Sequence, residues 1–182
     1  MLEMRRVFVI GNGGRESSII WKLMRSKRVG KIYSTGNGGM YSVVQKVSIA
    51  PTDFPALASF AKENAIDLTI VAMDDLLAMD IVGYFQRQGL LIFGPSQAAA
   101  RIEWSKMWAK ELMDEYNIPT AHFEIFRSRD TAFNYAMAMI KKYGAVVIKA
   151  DGLALGKGVE ICRTQKELED ALDRIMIKKV HG

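Results

Sequence analysis

A single cysteine, Cys162, stands in a chain of 182 residues, which excludes an internal disulfide framework and points to a reducing, cytoplasmic compartment. Histidine is almost as scarce. His122 and His181 are isolated, and no Cys–His spacing supports zinc. No apolar run approaches the roughly 18 residues of a membrane span. The opening Met-Leu-Glu-Met-Arg-Arg passes straight into strand-like Val7–Ile10 without a signal-peptide core, so no membrane is expected as a partner. Internal repeats and low-complexity tracts are absent. A block of one charge sign is missing too. The 25 Lys and Arg against 20 Asp and Glu leave a net charge of +5, but the basic residues are dispersed, with local groups only at Arg25–Lys31, Lys141-Lys142 and Lys178-Lys179. That dispersal argues against nucleic acid and for a basic face that collects small phosphorylated ligands.

What is present is an ordinary globular composition, 49% hydrophobic and 25% charged, enough to bury a core without staples. Compact apolar runs at Val7–Ile10, Leu68–Ala72, Leu90–Phe93 and Val146–Ala150 read as buried strands, with Lys31–Ser34 and Lys46–Ile49 as weaker ones. Helical patterns lie between them at Glu16–Arg25, Pro55–Asn64, Leu76–Gln88 and Ser105–Tyr116. Pro55 is a sound helix start and Gly89 a sound stop. Such alternation predicts βαβ units and a parallel sheet, an α/β fold. Gly94-Pro95-Ser96 closes this first block, and a helical bridge runs from Gln97 to Tyr116. A second unit then reads as strand His122–Phe126, helix Thr131–Tyr143, strand Val146–Ala150, a glycine loop, strand Val159–Cys162 and helix Gln165–Met176. Thr164-x-x-Glu167 is a capping box that opens this last helix.

Two glycine-rich turns carry the chemistry. The first, Gly11-Asn12-Gly13-Gly14-Arg15-Glu16, directly follows a strand and opens a helix, where free N–H groups and the helix dipole face an anion. It fails as a dinucleotide fingerprint, because Glu16 holds the third glycine position and Tyr33-Ser34-Thr35 supplies no ribose-binding acid. A tight turn without ligand is the alternative; Arg15, able to clamp a phosphate or carboxylate bidentately, favours binding. The second runs Lys149-Ala150-Asp151-Gly152-Leu153-Ala154-Leu155-Gly156-Lys157-Gly158. Its glycines let the backbone close over a polyphosphate, and Lys157 adds an ammonium. It is no Walker A loop, since Asp151 and Gly158 stand where that motif needs Gly and Ser/Thr, and a strand rather than a helix follows. A plain hairpin turn is the competing reading. Lys149, among apolar Val147, Ile148 and Ala150, is expected to direct its head into a cleft that requires an anion.

These motifs occur in order with Asp67–Val71, Phe93-Gly94-Pro95, Ser105-Lys106 and Ile118-Pro119-Thr120-Ala121, and together the chain resembles the N-terminal portion of the phosphoribosylamine–glycine ligase (glycinamide ribonucleotide synthetase) family of ATP-grasp enzymes. The resemblance implies a Rossmann-like substrate domain at 1–100, a helical bridge at 101–120 and a small α+β ATP-grasp lobe at 121–182 with a phosphate lid. It implies ADP-forming ligation of glycine to phosphoribosylamine through a glycyl phosphate, in purine biosynthesis. By carry-over, Gly11, Asn12, Gly13, Gly14, Arg15 and Glu16 face the sugar-phosphate substrate. Lys106, Lys149, Asp151, Gly152, Gly156, Lys157 and Gly158 face ATP.

The departures carry expectations of their own. Ser17 stands where the family has His, and Asp74 where it has the Glu of Gly-Pro-Glu, leaving Asp74 as a shorter stand-in for the carboxylate that faces the substrate amine. Trp104 replaces a glycine before Ser105-Lys106. The family continues into a large lobe that carries the magnesium ligands and much of the glycine site, and this lobe is absent here. Glu167, Glu169, Asp170 and Asp173 read as a solvated helix face, with Glu160 adjacent to the lid and no metal site assigned. ATP and magnesium are therefore the implied cofactors, and the isolated chain is expected to be inactive or to need a second chain. A non-catalytic nucleotide- or sugar-phosphate-binding protein of the same fold is the alternative, and another ATP-grasp ligase, such as a carboxylase component, is a third. Trp104 and Trp108, at i and i+4 of one bridging helix, are expected to share a face exposed without the large lobe, which predicts self-association or a partner.

Overall fold

The computed structural model describes residues 4–36, 44–154 and 158–180. The chain divides into two compact units, Met1–Ala100 and Arg101–Gly182.

The first unit alternates β1 (Arg5–Ile10), α1 (Gly14–Leu23), β2 (Val29–Ser34), β3 (Gln45–Lys46), α2 (Phe54–Glu63), β4 (Leu68–Val71), α3 (Asp74–Ala78), α4 (Ile81–Arg87) and β5 (Ile92–Phe93). Its five strands form one sheet in the order β3-β2-β1-β4-β5, and every pairing is parallel. The central strand explains the uninterrupted apolar run in the sequence. Val7, Phe8, Val9 and Ile10 are each at most 2% exposed, because helices cover both faces of a parallel sheet. Val7 and Val9 pack with Ile20 of α1, Ile32 and Ile70. Phe8 points the other way, onto Phe60 of α2 at a ring separation of 5.1 Å, as a strand's period of two requires. Burying such a side chain is worth about 1.5–3 kcal/mol. Helix α2 opens as its sequence demands, with Asp53 accepting from Ala56 N–H at 3.1 Å and Pro55 in the first turn.

The single helix expected over Leu76–Gln88 is two. Asp80 adopts a left-handed conformation (φ 65°) between α3 and α4. The buried residues Leu76, Leu77, Ile81, Val82 and Phe85 would spread over roughly 240° of one helix's circumference, and the break at Asp80 re-aims them onto one core. Arg87 clasps the Asp80 carboxylate at 3.1 Å.

Helix α5 (Gln97–Trp104) runs across the division between the units, and α6 (Lys106–Glu115) follows it. The expected continuous bridge to Tyr116 is thus interrupted at Ser105, whose extended backbone and side chain cap α6. Trp104 and Trp108 consequently lie on different helices, half-buried about Arg101, whose guanidinium sits 5.9 and 5.1 Å from their ring centres.

The second unit continues with α7 (Arg129–Tyr143), β6 (Val146–Lys149), β7 (Val159–Cys162), α8 (Gln165–Leu172) and a π-helical turn, Asp173–Ile177. Strands β6 and β7 form an antiparallel ribbon, with Val147 opposite Ile161 and Lys149 opposite Val159. One face of the ribbon supports a core of Ala132, Ala136, Cys162, Leu168, Ala171 and Leu172. The other leaves Val147, Val159 and Ile161 about half exposed (49, 47 and 55%). The Thr164 capping box forms as expected, and N–H bonds from Arg163 and Thr164 hold the Glu167 carboxyl below its ordinary range.

Residues 122–126 are not a strand. Among the described residues no strand pairs with them; His122 shares a hydrogen bond with the Tyr135 hydroxyl at 3.0 Å and Phe126 packs on the Tyr135 ring at 5.2 Å. The last helix gives way at Asp173 to the π turn instead of running to Met176. There Asp173, its side chain 44% exposed, accepts from Arg129 at 2.7 Å, and Glu160 pairs with Arg174.

Candidate functional site

In the first unit, strand order reverses between β1 and β4, and loops leaving the carboxyl ends of these two strands meet there. Gly11 turns out of β1 with φ +131°, a conformation that a side chain resists, and an added Cβ would meet Glu16 at 2.8 Å and Met73 at 2.9 Å. Its N–H donates to Thr35 Oγ1 at 2.9 Å. Gly36, at the exit of β2, approaches so closely that a Cβ would lie 2.6 Å from the Gly11 carbonyl oxygen. Thr35 and Gly36 were therefore missed in the sequence, where this segment read only as lacking an acid. Their signal is topological: β2 ends beside β1.

Glu16 is 3% exposed and turned inward. Its Oε2 accepts from Gly13 N–H at 2.7 Å, the reach-back half of a capping box, which glycine, having no side chain, does not reciprocate; Oε1 is buried with no hydrogen-bond partner among the described residues. Ser17 donates through its hydroxyl to the Gly13 carbonyl at 3.0 Å, and Ser18 to that of Gly14 at 2.8 Å. Arg15 reaches across the switch point. It donates to the Ala72 carbonyl at 2.9 Å and to both carboxylate oxygens of Asp74, at 2.6 and 3.1 Å. The first-turn residues of α1 and α3 are thereby joined by a bidentate, charge-assisted pair. Gly11–Glu16 and Asp74, chosen from the sequence, form one cluster.

In the second unit, the exit of β6 folds onto the start of α6. Ser105, 3% exposed, accepts from Trp108 N–H at 3.2 Å and lies 3.3 Å from both Asp151 carboxylate oxygens. Asp151 also accepts from Met107 N–H at 3.0 Å. Two otherwise unpaired N–H groups of the helix are thus satisfied, one by each side chain. Lys106 donates from Nζ to the Gly152 carbonyl oxygen at 2.7 Å, and Gly152 itself turns with φ +90°. Beyond it, Ala150 N–H bonds to the Gly158 carbonyl at 2.8 Å, and a Cβ on Gly158 would meet that of Ala154 at 2.6 Å.

Lys149 is exposed on the open face of the ribbon, beside Val147, Val159 and Ile161, rather than in a cleft of this unit. Gly156 and Lys157 lie outside the described residues. Among the described residues, no group of three His, Cys, Asp or Glu is gathered for a metal ion, and no helix is long and apolar enough to cross a membrane. Cys162 is 1% exposed, and burial, with Glu160 nearby, pushes its thiol up, so it lacks the thiolate character of a nucleophile.

Comparison with known proteins agrees along the chain. Residues 5–103 match the family described as phosphoribosylglycinamide synthetase, N domain, and residues 104–182 match its ATP-grasp (A) domain. The phosphoribosylamine–glycine ligase of Halalkalibacterium halodurans is 47% identical over 178 residues, covering 97% of this chain and 41% of the relative. That of Caldanaerobacter subterraneus is 45% identical over 97% of this chain and 42% of the relative. The chain therefore spans about 41% of the length of such relatives. Solved structures show the fold. The biotin carboxylase domain of the Hydrogenobacter thermophilus 2-oxoglutarate carboxylase, in complex with MgADP, superposes with a TM-score of 0.69 at 17% identity, over 97% of this chain and 42% of that one. The Aspergillus clavatus carboxyaminoimidazole ribonucleotide synthase, complexed with ATP, gives 0.66 at 20% identity, over 97% and 46%.

Proposed function

We infer the function of this chain from one premise: it belongs to the phosphoribosylglycinamide synthetase family. We propose that it takes part in the ATP-dependent joining of glycine to 5-phosphoribosylamine in purine biosynthesis. The first unit holds the sugar-phosphate amine at Gly11–Glu16, with Asp74 toward the amine. The second binds ATP through Lys106, Lys149 and the loop from Gly152 to Gly158, with the adenine-bearing end lying along the open apolar face of the β6–β7 ribbon.

In this reading a glycine carboxylate oxygen attacks the γ-phosphorus and ADP leaves. The amine nitrogen then attacks the acyl carbon of the glycyl phosphate, inorganic phosphate departs with the bonding electrons, and the nitrogen loses a proton. The chain's own contribution is positional and electrostatic, which is most of what phosphoryl transfer asks of a protein. Lysine ammonium groups offset phosphate charge, and Arg15 orients Asp74. Among the described residues no group of three His, Cys, Asp or Glu is gathered that would hold the magnesium ion such a reaction uses.

The observation that carries the proposal is the Arg15–Asp74 clasp at the carboxyl ends of β1 and β4, where open α/β sheets receive their ligands. The test is ADP release dependent on glycine, magnesium and ATP, with phosphoribosylamine generated in the assay. It is run on this chain alone and with a second chain that supplies the remaining length of a relative. Turnover in either arm, abolished by Lys149→Ala, supports the ligase. Nucleotide and sugar-phosphate binding without turnover in both arms supports the second reading, a binding protein of the same fold. That reading is favoured by Ser17 and Asp74 standing where the family pattern has His and Glu.

A further inference from the structure

The residues selected for ATP do not all behave as ligand contacts. Lys106 and Lys149 carry ammonium groups of the sign a polyphosphate needs, whereas the Asp151 carboxylate is already committed within the chain. It accepts from Met107 N–H at 3.0 Å and meets the Ser105 hydroxyl at 3.3 Å, one residue to either side of Lys106. A carboxylate there is also of the wrong sign to meet a polyphosphate. One residue further on, the Gly152 carbonyl oxygen receives the Lys106 ammonium at 2.7 Å. The backbone about Lys106 is thus pinned by Asp151, and its head is pinned by the residue that Asp151 leads into.

We propose that Asp151 is a positioning residue that acts through Lys106: by capping the first turn of α6 it holds the Lys106 ammonium where a nucleoside polyphosphate is received, and it makes no contact with the nucleotide itself. The inference rests on the reading of this unit as an ATP site. Three physical points support it. A lysine side chain retains several rotatable bonds, so a fixed backbone and a fixed resting acceptor lower the entropy lost when it meets a phosphate. A carboxylate at a helix N-terminus is stabilised by the dipole and by the N–H it accepts, so the cap is persistent. The contacts join residues 44 to 46 positions apart, which ties the root of the glycine loop to the helix.

The experiment is a double-substitution cycle read by nucleotide binding to the full 182-residue chain, with ATP, ADP and adenosine as probes and circular dichroism to verify folding. Asp151→Ala is expected to weaken ATP and ADP about fivefold to tenfold and to leave adenosine unchanged. In a Lys106→Ala background the same substitution is expected to cost less than about twofold, because interacting residues are non-additive. Asp151→Asn, which keeps an acceptor for Met107 N–H, is expected to restore ATP affinity to within about twofold of the unsubstituted chain. Should Asp151→Ala not fold, Asp151→Glu, which shifts the carboxylate by one methylene, is taken through the same cycle with the same expected coupling. Equal losses with and without Lys106, or an adenosine loss that matches the ATP loss, overturn the proposal while leaving the ATP site standing. Absence of ATP binding by the unsubstituted chain overturns the site and the proposal together.

Discussion

Arg15 grips Asp74 through two hydrogen bonds, Nη1 to Oδ1 at 2.6 Å and Nη2 to Oδ2 at 3.1 Å, and so ties the first turn of α1 to the first turn of α3. The pair is partly open to solvent, with side chains 58 and 28% exposed, so its contribution to stability is about 1 kcal/mol or less. Its value is geometric.

Arg15→Lys is expected to weaken binding of ribose 5-phosphate to the chain roughly tenfold while shifting the unfolding midpoint little, because an ammonium cannot reproduce a bidentate fork. Calorimetric titration beside a thermal melt checks this. Parallel losses of affinity and stability would show that the clasp only holds the fold.

Glu16 separates capping from charge. Glu16→Ala removes the acceptor for Gly13 N–H and leaves a hole under Gly11, and is expected to cost about 1–2 kcal/mol in urea unfolding. Glu16→Gln keeps one oxygen for Gly13 and is expected to cost less than half as much, since glutamine also serves in a capping box. Equal costs would place the stabilisation in the carboxylate's charge instead.

Asp67 sets an acid limit on the first unit. The Arg6 N–H at 2.7 Å and the Arg5 guanidinium at 2.8 Å hold its carboxyl below its ordinary value of 3.8. A depressed folded-state value means that the unfolded chain binds the proton first as pH falls. The stabilisation is therefore complete above the ordinary value and is lost as pH drops through the lower folded one. Asp67→Asn is expected to flatten the fall in stability between about pH 4 and pH 2. Denaturant melts at both ends of that window measure it, and identical slopes for the two proteins would refute the assignment.

Cys162 is expected to resist an aromatic disulfide reagent in the folded chain and to react at once in denaturant, given 1% exposure and a thiol pushed up by burial. The reaction is followed by absorbance. Rapid reaction in native buffer would mean that the core around Leu168 and Leu172 opens readily.

Much of the architecture was legible from adjacent residues. The apolar run at Val7–Ile10, Pro55 after Asp53, and Thr164 with Glu167 each act within a strand or one helical turn, so their signals survive in the one-dimensional order. The parallel sheet followed from strands alternating with helices. Where the reading failed, the deciding contact was distant. The pattern over Leu76–Gln88 suits a helix locally, but a shared core required the left-handed turn at Asp80. His122–Phe126 has strand-like residues, yet Tyr135 rather than a neighbouring strand satisfies it.

The candidate site divides in the same way. The sequence alone determined where glycines free the backbone and which cations and carboxylates lie beside them, because conformational freedom and charge are properties of single residues. Only the tertiary structure decided what those groups face: Arg15 on Asp74, 59 residues away, Glu16 turned under Gly11, and Lys106 held by Gly152. A charged side chain takes the partner that folding brings within about 3 Å, and neither composition nor spacing records that distance.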